Sequence, residues 1–149
     1  MTRMRMLATV VALLACLPWV APAVAHQADE SLYKRVGGYD AIAAVVDDFL
    51  GRLASDPQLG KFFVGHSTES LRRIRQLVVE QLCEATGGPC YYTGRSMKEV
   101  HQGLKISAAD WDLAVKHLNA TFDKFKVPAK ERGELVAAVG GLRADIVEP

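Results

Sequence analysis

The chain has 149 residues, a formal net charge of +1, and 50% hydrophobic and 23% charged residues. A chain of this length forms about one domain with one hydrophobic core. Basic and acidic residues are nearly balanced, which excludes the basic excess that a nucleic-acid-binding surface needs to neutralise phosphates. We therefore expect a small globular protein with no nucleic-acid partner.

The N-terminal segment, residues 1–25, has the pattern of a secretory signal peptide. Arg3 and Arg5 precede an apolar run over residues 7–24, and the run ends in the small-residue sequence Ala23-Val24-Ala25. A basic start, an apolar middle and a small-residue exit are typical of bacterial export signals. We expect cleavage after Ala25 and export, most simply to the periplasm, of a mature domain comprising residues 26–149.

Two alternatives compete with a cleaved signal. The apolar run is nearly long enough to anchor the chain in a membrane, but Pro18 and Pro22 interrupt it. Cys16 follows Leu13-Leu14-Ala15, an imperfect signal for lipid attachment, so a lipid-anchored form is the second alternative. The prolines and the cleavage site favour a mature protein with no stable membrane span.

The mature chain would keep 16 basic and 17 acidic residues, a formal charge of −1, because Arg3 and Arg5 leave with the signal. It would also keep two cysteines, Cys83 and Cys90. Export leads to an oxidising compartment, where such a pair forms a disulfide. We predict this disulfide, with two free buried thiols as the alternative.

Apolar residues recur at helical spacing along most of the mature chain. Glycine, proline and capping residues separate the helical segments, as at Gly87-Gly88-Pro89 and in the capping-box sequence Ser107-Ala108-Ala109-Asp110. No segment alternates as a strand would. The predicted fold is all-α in one domain, with helices or helical turns over residues 32–36, 39–53, 58–63, 68–85, 107–126 and 128–146 and a short helix that carries His101.

The long segment 87–105 contains His101, the main candidate for a metal ligand. It lies beside Met97 and Val100 and before Gly103. A neutral imidazole binds iron or zinc well, although a histidine with apolar neighbours is more often a packing residue. No second histidine, cysteine or carboxylate has ligand spacing around His101, which disfavours a metal site built from protein ligands alone. The loop-like character of this segment suggests the wall of a cavity.

Several ordered motifs resemble the truncated haemoglobins of the first group. The resemblance extends from Ser31 to Val147 without a large gap. Single glycine pairs are weak signals, but the ordered set is specific. The motifs are Leu32-Tyr33-x-x-Val36-Gly37-Gly38, Phe62-Phe63-x-Gly65, Gly87-Gly88-Pro89, Tyr92-Thr93-Gly94, Met97-Lys98-x-Val100-His101 and Val127-Pro128.

This resemblance implies a truncated globin-like, two-over-two helical sandwich that encloses haem b, iron protoporphyrin IX. His101 would be the proximal iron ligand. The other cofactor-binding residues implied are Phe63, Tyr92, Met97 and Val100, with Phe49, Leu50, Ile74, Leu77 and Val78 on the distal side.

The distal positions depart from the family pattern. Many relatives place a tyrosine at the Leu50 position and a glutamine at the Ile74 or Val78 position, and these groups donate hydrogen bonds to bound oxygen. The apolar residues present in this chain cannot donate. Loss of a charge-assisted bond of about 1.5–3 kcal/mol should weaken oxygen retention by about 10- to 150-fold. We expect an open, five-coordinate ferrous iron, unless His66 or Gln76 reaches the distal pocket.

Three functions follow from these observations. The resemblance favours a protein that binds the diatomic gases O2, CO and NO at a histidine-ligated iron. Its alternative is a nitric oxide dioxygenase or another haem-based redox enzyme, which needs an electron donor that the sequence does not identify. The third possibility is an exported helical domain without haem, in which His101 is a packing residue.

Overall fold

The computed structural model describes residues 30–148, and the predicted signal peptide, with its Cys16 and Ala25, lies outside this range. No strand occurs between residues 30 and 148, which agrees with the predicted all-α class. No helix within that range is both long and apolar enough to cross a membrane. The helices are α1 Leu32–Arg35, α2 Gly38–Ser55, α3 Thr68–Ala85, α4 Met97–His101, α5 Ala108–Lys124, α6 Ala129–Gly140 and α7 Arg143–Ile146, with a 3-10 helix at Gly60–Phe63 between α2 and α3.

The local sequence explains where α2, α3 and α5 begin. Gly37 caps α2 with a φ of 98°, a left-handed conformation that glycine adopts at little cost. Ser67 accepts the backbone N–H of Ser70 at the start of α3. Ser107 and Asp110 form a reciprocal capping box at the start of α5, as the sequence predicted. The two serine caps each contribute about 0.5–2 kcal/mol to the stability of their helix.

Helix α2 is the central element, because it packs against both α3 and α5. Two apolar clusters fill these contacts. The first joins α2 to α3 and contains Ile42, Ala43, Val46, Val79 and Cys83. The second joins α5 to α6 and contains Leu118, Phe122 and Leu135. Each fully buried large apolar side chain of this kind contributes about 1.5–3 kcal/mol.

Asp48 ties α2 to α5 through polar contacts. Its carboxylate accepts hydrogen bonds from Arg52 at 2.6 Å and Thr121 at 2.8 Å, and it also pairs with Lys124. These bonds, that of Arg52 above all, hold the pKa of Asp48 well below its usual range. The carboxylate is therefore charged near neutral pH and compensated from both helices.

A disulfide between Cys83 and Cys90 joins the end of α3 to the loop that follows, which confirms the predicted bridge. Gly88 lies inside this loop, where three segments meet. A Cβ atom at Gly88 would lie 2.5 Å from the ring of Tyr33, 2.7 Å from Sγ of Cys83 and 2.8 Å from the Cys83 carbonyl oxygen. The backbone N–H of Tyr33 also donates to the Thr86 carbonyl at 2.8 Å. The loop after α3 is therefore fixed to α1 as well as to α3.

The C-terminal region differs from the sequence prediction. One helix was expected over residues 128–146, but α6 ends at Gly140 and the separate short helix α7 follows. The glycine pair Gly140-Gly141, expected to bend the helix or to admit a close neighbour, ends α6 because glycine is a poor helix former. This break lets α7 turn back and pack against α4.

Candidate functional site

Helix α4 carries His101 and has only five residues, too few to be stable alone. A capping box stabilises its start: the Ser96 side chain accepts the Glu99 N–H at 3.3 Å, and the Glu99 carboxylate accepts the Ser96 N–H at 3.0 Å. The bond from the Ser96 hydroxyl to Glu99, at 2.6 Å, is the main reason that the pKa of Glu99 lies below its usual value. This short helix is thus organised by its own first turn.

The imidazole of His101 is oriented by a bond within its own helix. Its Nδ1 lies 2.7 Å from the carbonyl oxygen of Met97. A carbonyl oxygen can only accept, so the Nδ1 atom must carry the proton. In the neutral ring, the Nε2 atom then keeps an available lone pair, as a histidine that ligates a metal requires.

The apolar side chains of α3 form two faces. Val79 and Cys83 are fully buried against α2. Ile74, Leu77 and Val78 lie on another face, since residues three and four apart share one side of a helix, and they are only half-buried. We call this face the α3 stripe.

Other predicted site residues share this incomplete burial. Phe63, Met97, Val100 and His101 are half-buried and lie on the 3-10 helix or on α4. Large apolar groups that remain partly accessible mark a place that a further apolar group can cover. A flat apolar cofactor with one metal ion fits both this lining and the Nε2 lone pair of His101.

Leu50 and Val78 both pack beside the cluster that joins α2 to α3. Phe49 packs against the cluster of Leu118, Phe122 and Leu135. The distal role of all three residues stays a prediction. Phe49 supports the packing of α2 on α5 and α6.

Tyr92 shapes the loop before α4. Its hydroxyl donates to the Arg95 carbonyl at 2.7 Å. Its ring lies so close to Gly94 that a Cβ there would be 2.3 Å from the ring. Burial raises the pKa of Tyr92 above its usual value. The Tyr-Thr-Gly sequence thus forms a closed turn that leads into the capping box of α4.

Gln76 and His66, the two polar residues that the sequence left open for the distal pocket, have partners elsewhere. Gln76 donates to the Tyr39 hydroxyl and to Glu80, each at 3.0 Å, on the part of α3 that faces the start of α2. His66 is exposed, with its Nδ1 atom 3.0 Å from the Ser70 hydroxyl. Neither side chain is directed to the α3 stripe by these contacts.

Gln81 is a polar residue of the α3 stripe that the sequence reasoning did not place there. It follows Val78 by three positions and Ile74 by seven, so it shares their face, and it is half-buried. Its amide has no hydrogen-bond partner among residues 30–148. The signal that could have found it is the helical spacing alone, which puts Gln81 in phase with the apolar positions.

Two surface grooves have linings that do not include His101. One is lined by Lys105, Ser107, Ala108, Val147 and Glu148, and the other lies along the start of α6. Residues 30–148 contain no group of three or more histidines, cysteines or carboxylates able to hold a metal ion. Among residues 30–148, the candidate site combines His101 as the metal donor with the α3 stripe as an apolar lining.

Comparison with known proteins identifies the fold and the family. The bacterial-like globin family matches residues 31–148. Group 1 truncated hemoglobin GlbN of Mycolicibacterium paratuberculosis is 36% identical over 116 residues, which cover 78% of this chain and 83% of that protein. The 2/2 hemoglobin of a Synechococcus species is 27% identical with a TM-score of 0.72, covering 79% of this chain and 98% of that one.

The truncated hemoglobin of Tetrahymena pyriformis in its Fe(III) form shares the fold, with a TM-score of 0.73 at 23% identity over 80% of this chain and all of that one. The predicted two-over-two sandwich is thereby confirmed. Membership of this family implies a haem cofactor. The chain therefore belongs to the bacterial-like globin family and is a truncated haemoglobin of the first group, a haem-binding globin.

Proposed function

We propose that this globin binds diatomic gases at the iron of a haem b held by the Nε2 atom of His101. The observation that carries the proposal is the 2.7 Å bond from His101 Nδ1 to the Met97 carbonyl, because it leaves Nε2 as a free donor atom. Gas-binding haem, when bound, supplies an iron with one open coordination position. The chain supplies the fifth ligand and the apolar surroundings.

The remaining residues of the site would hold the cofactor by burial. These residues are only partly buried without the cofactor, so the porphyrin can cover their remaining apolar surface. Each Å² of apolar surface removed from water contributes about 25 cal/mol to binding. They also keep water from the iron. These residues are Phe63, Tyr92, Met97 and Val100, with Leu50, Ile74, Leu77 and Val78 on the other side.

Two similar proteins support this assignment. The Synechococcus hemoglobin is described as being in the cyanomet state with covalently attached haem. The Tetrahymena protein is described as an Fe(III) form. These are properties of the two similar proteins, and they favour haem as the group that fills the site of this chain.

The lining favours carbon monoxide and nitric oxide over oxygen, relative to family members with polar distal residues. Leu50, Ile74 and Val78 offer no hydrogen-bond donor, and Gln76 is held by Tyr39 and Glu80. Oxygen gains more than carbon monoxide from such a donor, because electron density moves onto oxygen when it binds. The protein should therefore lose oxygen faster than relatives with a donor, by about 10- to 150-fold.

A second candidate function is a nitric oxide dioxygenase, in which nitric oxide, oxygen and one electron from the reduced protein, which is thereby oxidised, would form nitrate. Gln81 favours this candidate, because its amide on the α3 stripe could help to retain oxygen. Rapid mixing of nitric oxide with the reduced, oxygen-saturated protein decides between the two. Fast stoichiometric nitrate formation supports the enzyme, and slow or absent formation supports the gas-binding protein.

The test of the main proposal is reconstitution of the mature chain with hemin. We expect a Soret band that shifts on reduction and again with carbon monoxide, and a five-coordinate spectrum in the ferrous form. His101→Ala should weaken or alter this spectrum, whereas His66→Ala, which removes an exposed histidine, should not. A chain that takes up no haem, or a His101→Ala variant with an unchanged spectrum, would contradict the proposal.

Export to the periplasm is part of the same proposal. The Cys83–Cys90 disulfide supports it, because disulfides persist in oxidising compartments. Mass spectrometry of the protein from a periplasmic extract should give an N-terminus at His26. A retained signal in the cytoplasm, or a lipid on Cys16, would contradict cleavage after Ala25.

A further inference from the structure

The segment after His101 is fixed by residues near the C-terminus of the described chain. The Glu148 carboxylate accepts the backbone N–H of Gly103 at 2.6 Å and that of Lys105 at 3.3 Å. In return, the Glu148 N–H donates to the Ile106 carbonyl at 2.9 Å. We call Val147 and Glu148 the C-terminal hook. Its three bonds link positions more than 40 residues apart in the sequence.

The loop needs such support because its backbone is unusual. Gly103 has a φ of 86°, and Lys105 has a φ of 54°, a left-handed conformation that is unfavourable for a residue with a side chain. A turn of this kind points backbone N–H groups inward and forms a concave site for an anion. The Glu148 carboxylate occupies that position and so stabilises the loop conformation.

The same contacts restrain α4. Helix α7, immediately before the hook, packs against α4. His101 is the last residue of α4, two positions before Gly103. Its ring is already fixed relative to the helix through the Met97 carbonyl, so the position of the ring depends on the position of the helix. The capping box holds the first turn of α4, and the hook holds the other end.

We propose that Glu148 is a positioning residue for the iron ligand: by holding the loop at Gly103 and Lys105, it sets where His101 presents its Nε2 atom. This inference rests on the proposed function, in which His101 ligates haem iron. Glu148 itself touches neither the cofactor nor the gas. Its effect should therefore appear in the iron–histidine bond and in haem retention.

The test compares Glu148→Ala and Glu148→Gln with a matched control, Asp145→Ala, which removes an exposed carboxylate of α7. The first readout is amide hydrogen exchange at Gly103 and Lys105, which needs no haem. We expect about tenfold faster exchange in Glu148→Ala, because a bond to a charged acceptor is lost at a partly exposed site. The second readout is the iron–histidine stretching frequency of the ferrous protein, together with the rate of haem transfer to apomyoglobin.

Glu148→Ala should shift the stretching frequency and speed haem loss by about tenfold. Glu148→Gln should largely restore both, because its amide oxygen can accept the same two N–H groups. Asp145→Ala should match the wild type. An unchanged frequency and an unchanged rate of haem loss in Glu148→Ala would overturn the inference, as would equal effects in Asp145→Ala.

Failure of the proposed function gives a different result. In that case the wild type itself shows no iron–histidine band that depends on His101, which overturns the functional part of the inference together with the haem ligation. The amide exchange still reports whether the hook holds the loop. A wild type with a normal band and an insensitive Glu148→Ala variant would refute only the positioning role.

Discussion

The two faces of α3 differ in how far the protein itself buries their apolar side chains. On one face, Val79 and Cys83 are fully buried against α2. On the other, Ile74, Leu77 and Val78 have equally apolar side chains but remain half-buried. The first face stabilises the protein by itself. If the second face lines the proposed haem site, most of its contribution to stability should appear when haem is bound, although Val78 also packs beside the cluster that joins α2 to α3.

The largest expected effect comes from comparing a substitution in the buried core with a substitution on the α3 stripe. Phe122→Ala removes a side chain that is 2% exposed, and it should lower the free energy of unfolding by about 3–5 kcal/mol with or without haem. Ile74→Ala should cost less than about 1 kcal/mol without haem, because the side chain is already partly accessible, and more with haem bound. Urea unfolding of both forms measures these values. An equal cost of Ile74→Ala in the two forms would contradict the distinction.

The disulfide offers a second test, because it joins Cys83, on the buried face of α3, to the loop before α4. Reduction should lower the free energy of unfolding by about 2–3 kcal/mol, as expected for closure of a short loop. The measurement is unfolding with and without dithiothreitol, and a Cys83→Ala, Cys90→Ala double variant should not respond to the reductant. A wild type that is insensitive to reduction would show that Gly88 and the α1 contacts hold the loop without the bridge.

Acid should weaken the contact between α2 and α5, because the Asp48 carboxylate links these helices. The pKa of Asp48 is lowered from 3.8 by its bonds to Arg52, Lys124 and Thr121. A carboxyl with a depressed pKa in the folded state stabilises the protein above the unfolded pKa, and this stability is lost as the pH falls through the folded value. The wild-type free energy of unfolding should therefore decline below a pH of about 4.

The Asp48→Asn variant checks this expectation. It should lose about 1–3 kcal/mol at pH 7, since a partly buried, charge-assisted network is broken, and its stability should depend less on pH in acid. Asp112→Asn, which changes an exposed carboxylate on α5, is the matched control. Parallel acid profiles for the wild type and Asp48→Asn would show that other carboxylates govern acid unfolding.

The smallest expected effect concerns Gln81, the polar residue of the α3 stripe. Gln81→Leu should speed oxygen dissociation by at most about tenfold, because a neutral hydrogen bond contributes about 0.5–1.5 kcal/mol. Gln76→Leu is the control, since Gln76 is engaged by Tyr39 and Glu80. Flash photolysis measures the rates. If both variants match the wild type, the Gln81 amide does not reach the gas, and the α3 stripe acts as a purely apolar surface.

Local signals predicted most of the helices. The capping residues Ser67 and Ser107, the glycine pair Gly87-Gly88 and the apolar spacing gave the bounds of α3 and α5 to within a few residues. The disulfide followed from the inferred compartment. His101 was predicted as the metal ligand because it lies in a short helix within a long loop-like segment. These features depend on residues close together in the chain.

Other features depend on contacts between distant residues, which no local pattern encodes. Glu148 meets Gly103 across 45 positions, and His117 pairs with Asp56 at 2.8 Å across 61. The separate α7 follows from its packing on α4, which a helical pattern over residues 128–146 does not reveal. Phe49, which the resemblance places on the distal side, also packs against Leu118 and Phe122, a contact that depends on how α2 meets α5.

Gly88 limits how far this sequence can vary. Its missing side chain leaves room for Tyr33 of α1, for the disulfide and for the end of α3, so any larger residue must displace at least one of them. In a library of random variants selected for folding, this position should accept almost no substitution. Gly51 and Gly133, where a Cβ would meet nothing within 4 Å, should accept alanine freely. Variation at Gly88 is therefore limited by the space that three segments share there.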